Sequence, residues 1–145
     1  MENKISKKNI ILVTAATAIG SALGSFAVKD LFKENVDQND RLKKVAEETN
    51  KLLPMIIDSE TRLDSTVGLN NTFTYIYTLT NYSFDEIDAS TLEQNLSPKV
   101  LNNYCSSSDM KQFVDHGVTV NFRYLGKAGK QILNLSHQPS DCKNG

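Results

Sequence analysis

The chain has 145 residues, a formal net charge of −1 and a pI near 6.1. This length allows one small domain, and the near-neutral charge argues against a nucleic-acid partner, because nucleic-acid-binding proteins carry a basic surface. The sequence has no glycine-rich phosphate loop and no zinc-ligand spacing, so we expect no cofactor and no metal site.

The N-terminal part contains a long uncharged apolar segment, which starts at Ile10 and ends at Val28. A helix of this length spans a bilayer core of about 30 Å at a rise of ~1.5 Å per residue. Lys4, Lys7 and Lys8 precede the segment, and this positive charge keeps the N-terminus in the cytoplasm. We therefore predict a single-pass inner-membrane protein whose transmembrane helix lies in the lipid bilayer.

This prediction divides the chain into a cytoplasmic N-terminus, a transmembrane signal anchor, a stalk and a periplasmic α+β domain, which are residues 1–9, 10–28, 29–40 and 41–145. The alternative is a signal peptide cleaved after Ala27, because small residues stand at the two positions that such cleavage requires. The apolar segment is longer than the usual signal core, which favours retention.

Three small residues in the apolar segment, Ala16, Gly20 and Gly24, recur every four positions. On a helix they form a smooth groove in which a second helix can approach closely. The spacing therefore indicates helix pairing, and with it a homodimer.

Residues 41–53 carry apolar side chains at helical spacing and predict an amphipathic helix that ends before Pro54. Residues 55–66 and 72–80 alternate in character from one position to the next, which is typical of strands. The turn-forming residues 68–71 lie between them, so we predict a hairpin.

A helical region follows over residues 90–105. Ser97 and Pro98 predict a restart of the helix, because proline suits its first position. Residues 109–115 predict one more short helix, which Gly117 ends.

The last predicted element is a second hairpin, over residues 118–124 and 130–136. The complete prediction is a transmembrane helix followed by an α-β-β-α-β-β domain. This order indicates the α+β class, with an antiparallel sheet and the helices on one face.

The two cysteines, Cys105 and Cys142, both lie in the exported part of this arrangement. Two thiols in a small domain usually pair in an oxidising compartment, so we predict a disulfide that fastens the C-terminal tail to the helical region. Two free thiols are the alternative.

Alternation along residues 55–66 places Asp58, Glu60, Arg62 and Asp64 on one strand face. Carboxylates at this spacing could bind a cation or act as an acid and base. Because Arg62 stands between Glu60 and Asp64 and can neutralise both, a solvated ion network is the simpler interpretation. Protection of an edge strand by crowded charge is a third. We take this face as a candidate interaction surface without assigning catalysis to it.

Tyr75 and Tyr77 follow the same alternation on the next strand and extend the candidate interaction surface if they are exposed. Core packing between sheet and helix is the simpler interpretation. His116 could act as a general base together with Asp58 and Glu60. A small hydrolase is therefore the alternative function. No nucleophile stands in a recognisable motif, so we assign no catalytic residue.

Several segments beyond the apolar segment resemble a set of small uncharacterised proteobacterial envelope proteins. The resemblance rests on residues 57–64, 75–81, Cys105, residues 117–120, residues 122–124, Gly129, Asp141 and Cys142. It implies an envelope location, one folded unit over about residues 53–142 and the cysteine pair. It implies no activity and no catalytic residue.

These features together predict a non-enzymatic, membrane-anchored periplasmic accessory subunit that binds another envelope protein or a membrane complex. The small hydrolase and an immunity or exclusion factor are the alternatives.

Overall fold

The protein forms an α+β domain in a computed structural model that describes residues 36–144. The sheet has five strands and the described helices pack on one of its faces. In chain order the elements are α1 (Gln38–Asn50), β1 (Met55–Ile56), β2 (Thr61–Leu69), β3 (Thr72–Leu79), a 3-10 turn (Phe84–Glu86), α2 (Ala89–Ser106), α3 (Lys111–Asp115), β4 (Thr119–Gly126), β5 (Gln131–His137) and a C-terminal 3-10 helix (Pro139–Asn144).

Helix α1 begins three residues before the predicted helix, because Asp37 caps its N-terminus. The Asp37 side chain accepts a hydrogen bond from the backbone N–H of Asn39 at 2.9 Å. Residues 38–40, which the sequence assigns to a stalk, are therefore helical. The buried side of α1 carries Leu42, Val45, Ala46 and Thr49.

Strand order in the sheet follows the chain, from β1 at one edge to β5 at the other. Three of the four strand pairs are antiparallel, but β3 and β4 run parallel, with Thr72 opposite Thr119. Helices α2 and α3 connect these two strands, and such a crossover returns the chain to the end of the sheet from which β3 started. The prediction of an antiparallel sheet is therefore wrong at this pair.

The predicted fold class is also wrong in its strand count, because the sheet has five strands where the sequence predicts four. The predicted strand 55–66 is two antiparallel strands, β1 and β2, separated by bends at residues 58–60. The predicted transmembrane helix, residues 10–28, lies outside the described residues. Within residues 36–144, no helix has both the length and the apolar character needed to cross a bilayer.

Helix α2 continues through Pro98, where the sequence predicts a new helix. The buried side chains recur every four residues along its whole length, so one unbroken helix places them all against the sheet. This packing outweighs the hydrogen bond that a proline within a helix forfeits. The residues concerned are Leu92, Leu96, Val100 and Tyr104.

The core lies between the helices and one face of the sheet. Aromatic side chains of β3 and β4 stack across the parallel pair, with ring centroids 5.6 Å apart for Tyr75 and Phe122 and 4.9 Å apart for Tyr77 and Tyr124. On the neighbouring strand, Gly68 lies opposite Phe73 and directly beneath Leu42 of α1. Helix α1 therefore packs on the same face of the sheet as α2 and α3.

Candidate functional site

A groove lies between the second half of α2, the edge strand β5 and the C-terminal 3-10 helix. Its volume is about 850 Å³, within the range of about 300–1,000 Å³ that is typical of binding sites. Apolar and small polar groups line it together: Pro98, Leu101, Asn102, Cys105, Ser106, Ser136, His137, Asp141 and Cys142.

A disulfide joins the two walls of this groove. Cys105 on α2 and Cys142 on the C-terminal 3-10 helix are bonded, with Cα atoms 5.4 Å apart and a separation of 37 positions in the chain. Cross-linking residues so distant in sequence restricts the unfolded chain and holds the tail against the helix. The separation of the groove walls is therefore covalently limited.

One wall of the groove is an edge of the sheet. Among residues 36–144, strand β5 pairs with β4 alone, so one row of its backbone N–H and C=O groups has no neighbouring strand in this part of the chain. Such a row can form main-chain hydrogen bonds with an extended segment of another protein. The groove therefore offers a partner both apolar contacts and backbone hydrogen bonds.

His137 is a buried polar residue in the wall of the groove. Its Nδ1 lies 3.7 Å from Asp141 Oδ2, and its Nε2 has no hydrogen-bond partner among the described residues. Burial lowers the pKa of His137 below its ordinary value, and the nearby Asp141 carboxylate opposes this effect. Near pH 7 the imidazole is therefore neutral.

Tyr75 and Tyr77 are not part of an exposed surface. Only 4% of Tyr75 and 0% of Tyr77 is exposed, because their face of β3 lies beneath the helices. Their assignment to an interaction face is corrected to the simpler interpretation, core packing.

Asp58 and Glu60 lie in the bends before β2 and serve the local structure. The backbone N–H of Glu60 donates to Asp58 Oδ1 at 2.8 Å, and Glu60 itself is buried and accepts a hydrogen bond from the Tyr82 hydroxyl at 2.9 Å. Arg62 and Asp64 are an ion pair farther along β2, where Asp64 also bonds Thr78. The four residues therefore do not form one strand face.

The residues proposed for hydrolysis lie at opposite ends of the sheet. The backbone carbonyl of Glu60 accepts a hydrogen bond from the Thr80 N–H, just after β3. The His116 carbonyl accepts from Gln38, which also bonds Asn71, just before β3. The length of β3 separates these ends by roughly 25 Å, so Asp58 and Glu60 cannot act with His116.

The structure does not test the predicted helix-pairing residues. Ala16, Gly20 and Gly24, predicted to pair helices, lie outside the described residues, and their pairing stays a prediction. Within residues 36–144, no three His, Cys, Asp or Glu side chains are arranged to hold a metal ion.

The family model of a domain of unknown function, DUF8479, matches residues 37–134. The chain belongs to this family. The match extends from the cap of α1 into β5 and so includes four strands of the sheet in full and the first part of the fifth. The DUF8479 match ends before the C-terminal 3-10 helix. No curated protein sequence matches the chain.

Three solved structures have a similar fold. A protein of Pseudomonas aeruginosa described as secreted is 15% identical, with a TM-score of 0.61 over 82% of this chain and 98% of that chain. EpsS, a pilotin of the type 2 secretion system of Vibrio vulnificus, is 13% identical, with a TM-score of 0.60 over 82% and 97%. AspS, a type II secretion pilotin of Vibrio cholerae, is 12% identical, with a TM-score of 0.54 over 80% and 95%. At these identities the likeness shows the fold alone.

The predicted location as a single-pass inner-membrane protein is wrong. The described residues of this DUF8479 protein include no helix able to cross a bilayer, and the similar structures belong to a protein described as secreted and to two pilotins.

The sequence reasoning missed the groove, although α2 carries a signal for it. Pro98, Leu101, Asn102 and Cys105 follow one another at spacings of three, one and three, which is a helical stripe beside the buried one. A second stripe that contains leucine and cysteine indicates an additional contact surface. The other wall, from β5 and the C-terminal 3-10 helix, is distant in sequence and has no such local signal.

Proposed function

We propose that this DUF8479 protein is a non-enzymatic accessory protein of the cell envelope that binds a segment of a protein component of a secretion apparatus. The fold shared with two type II secretion pilotins carries the proposal. EpsS and AspS each match at least 80% of this chain, at TM-scores of 0.60 and 0.54. Their role comes to this chain as an inference from that shared fold.

The groove supplies the surface that such a role requires. Leu101 and the disulfide between Cys105 and Cys142 give apolar contact, and Asn102 and Ser106 give hydrogen-bonding groups along the same helix. A surface that mixes apolar and neutral polar groups beside a free strand edge suits a polypeptide segment.

The separation of the predicted acid and base groups supports a binding role over hydrolysis. Glu60 is engaged by Tyr82 at one end of the sheet, and His116 lies at the other end. The acid and base pair that the hydrolase alternative requires is therefore not assembled.

The proposal is tested by cross-linking the full chain in its own cells, purifying it and identifying bound proteins by mass spectrometry. We expect a secretion-apparatus protein in stoichiometric amount. Leu101→Glu places a charge in the groove and is expected to remove that protein, whereas Leu52→Glu, a matched change at an exposed leucine outside the groove, is expected to retain it.

Two results would overturn the proposal. One is recovery of no envelope protein above the level found with an unrelated bait. The other is equal recovery with wild type and with Leu101→Glu, which would show that the groove is not the binding surface. Circular dichroism of each variant confirms that it is folded.

A further inference from the structure

The face of the sheet opposite the helices has a hollow that the proposed function does not use. We call this surface the open face, and it is formed by Val67, Leu69, Thr72, Thr74, Ile76 and Arg123. Strand alternation places these side chains away from the core, since the intervening residues of β3, Phe73 and Tyr75, are buried on the side of the helices. The open face is therefore separate from the groove.

Two exposed aliphatic residues border this hollow. Val67 is 46% exposed and Leu69 is 61% exposed, and they are alternate residues on β2. Their cross-strand neighbours, Thr74 and Thr72, add methyl groups and hydroxyls beside them. Neighbouring aliphatic side chains on one strand face form a continuous apolar contact, unlike single exposed residues scattered over a surface.

Arg123 brings to the hollow a positive charge that has no ion-pair partner among residues 36–144. It lies opposite Ile76 on β4, and its Nε is buried without a hydrogen-bond partner in the part of the chain that the structure describes. The other arginine of this sheet face, Arg62, already has Asp64 as its partner. Nε itself is enclosed, but Arg123 as a whole is only half-buried. A carboxylate on the open face would therefore form charge-assisted hydrogen bonds with the terminal N–H groups of the guanidinium.

The size of the hollow limits what it can hold. Its volume is about 230 Å³, which is below the range of about 300–1,000 Å³ typical of small-molecule sites. A space of this size accepts one or two side chains that protrude from another polypeptide. An isologous contact with a second copy is disfavoured, because it would bring Arg123 of each copy toward the other.

We propose that the open face binds an extended segment of a partner protein in which a glutamate or aspartate alternates with aliphatic residues. The carboxylate bonds the Arg123 guanidinium, and the aliphatic side chains contact Val67 and Leu69. Alternate residues of an extended segment point the same way, about 6–7 Å apart, which matches the spacing of alternate residues on β2.

The test uses the peptide acetyl-Glu-Ser-Leu-Ser-Leu-amide, in which Glu stands at one end because Arg123 is level with Ser65, the alternate residue before Val67. The peptide is titrated into the ¹⁵N-labelled full chain and followed by NMR. We expect saturable shifts of the amides of β2, β3 and β4. A second peptide with Gln in place of Glu has the same shape without the charge, and it is expected to bind about fivefold more weakly, which is the effect of one partly exposed ion pair.

Matched variants assign the effect to the open face. Arg123→Gln is expected to remove the difference between the two peptides, whereas Lys43→Gln, which removes a charge from α1, is expected to preserve it. Leu69→Ser is expected to weaken both peptides, whereas Leu52→Ser changes an equally exposed leucine (61%) elsewhere and is expected to leave both unchanged.

Three results would overturn the proposal. The first is the absence of saturable shifts on β2, β3 and β4, and the second is equal binding of the Glu and Gln peptides. The third is a set of shifts on this face that depends on protein concentration without peptide, which would assign the surface to a second copy of the chain.

Discussion

The backbone carbonyl of Leu42 in α1 lies where a side chain at Gly68 of β2 would begin. An ideal Cβ on Gly68 would stand 2.9 Å from the Leu42 Cβ and closer still to its carbonyl, nearer than real Cβ atoms approach other heavy atoms. Helix and strand therefore meet at a distance that only glycine permits.

Gly68→Ala is expected to lower the free energy of unfolding by about 1–3 kcal/mol, because backbone must move to admit the methyl group. Urea denaturation of the full chain measures the change. Gly117→Ala is the comparison, since its Cβ would meet nothing within 4 Å and only its φ of +71° is unfavourable, at about 1 kcal/mol. A smaller loss at Gly68 than at Gly117 would contradict the close-packing explanation.

The Asn50 side chain hydrogen-bonds the backbone of β2 at Thr66, beyond the short pairing of β2 with β1. Its amide donates to the Thr66 carbonyl at 2.9 Å, and its Oδ1 accepts from the Thr66 N–H at 2.7 Å. We expect Asn50→Ala to cost about 1–2 kcal/mol and Asn50→Asp, which retains only the acceptor, to cost less. Denaturation beside Glu47→Ala, a change at an exposed position of α1, measures this difference. Equal stability of Asn50→Ala and Glu47→Ala would contradict it.

The local parts of this fold could be predicted from the sequence. Alternation along Phe73, Tyr75 and Tyr77 is maintained by a buried face, so the pattern and the strand coincide. The turn before it contains Asn70 and Asn71, which adopt positive φ values of 51° and 57°. Asparagine tolerates this conformation, which is why Asn70 and Asn71 in the sequence predicted a turn.

The features that were missed depend on contacts between distant segments. A bulge between Leu63 and Ser65 shifts the register of β2, so simple alternation assigns the wrong face beyond it. The direction of β4 follows from the path of α2 and α3, which no period in β4 encodes. The groove needs Leu101 and Cys142 together, and only the folded chain brings them to one place.

Reduction of the disulfide is expected to lower the free energy of unfolding by about 2–4 kcal/mol, because the unfolded chain gains freedom when Cys105 and Cys142 separate. Urea midpoints with and without dithiothreitol measure the effect. The double variant Cys105→Ser/Cys142→Ser should resemble the reduced wild type and should not respond to dithiothreitol. An unchanged wild-type midpoint on reduction would contradict the prediction.

His137 is expected to make the protein less stable in mild acid. Its pKa in the folded state lies below the unfolded value of 6.5, because burial disfavours the charged imidazole more than Asp141 favours it. Below about pH 6.5 the unfolded chain therefore binds the proton more readily, and stability falls as pH falls. Above that pH the contribution of His137 is constant.

Unfolding measured between pH 7.5 and pH 5 in wild type and in His137→Gln tests this sign. The wild type should lose more stability over this range than His137→Gln, since only the wild type has this group to protonate. His116→Gln is the control and should retain the wild-type difference. An identical pH dependence in wild type and His137→Gln would show that the pKa of His137 is not lowered by folding.

Three buried tyrosines differ in what their hydroxyl groups contact. The Tyr104 hydroxyl donates to the Val118 carbonyl at 2.9 Å, whereas the hydroxyls of Tyr77 and Tyr124 have no hydrogen-bond partner among the described residues. Burial raises the pKa of both Tyr77 and Tyr124, so each remains a neutral hydroxyl. These two rings therefore contribute to the packing of the core, and their hydroxyl groups form no hydrogen bond with the described residues.

Tyr104→Phe is expected to cost about 1–2 kcal/mol, because it removes a buried hydrogen bond and leaves the Val118 carbonyl unpaired. Tyr77→Phe and Tyr124→Phe should leave the free energy of unfolding unchanged or raise it by up to about 1 kcal/mol, because each removes a buried polar group that has no partner. Urea denaturation of the three variants compares them directly. A loss at Tyr124→Phe equal to that at Tyr104→Phe would contradict this difference between the hydroxyl groups.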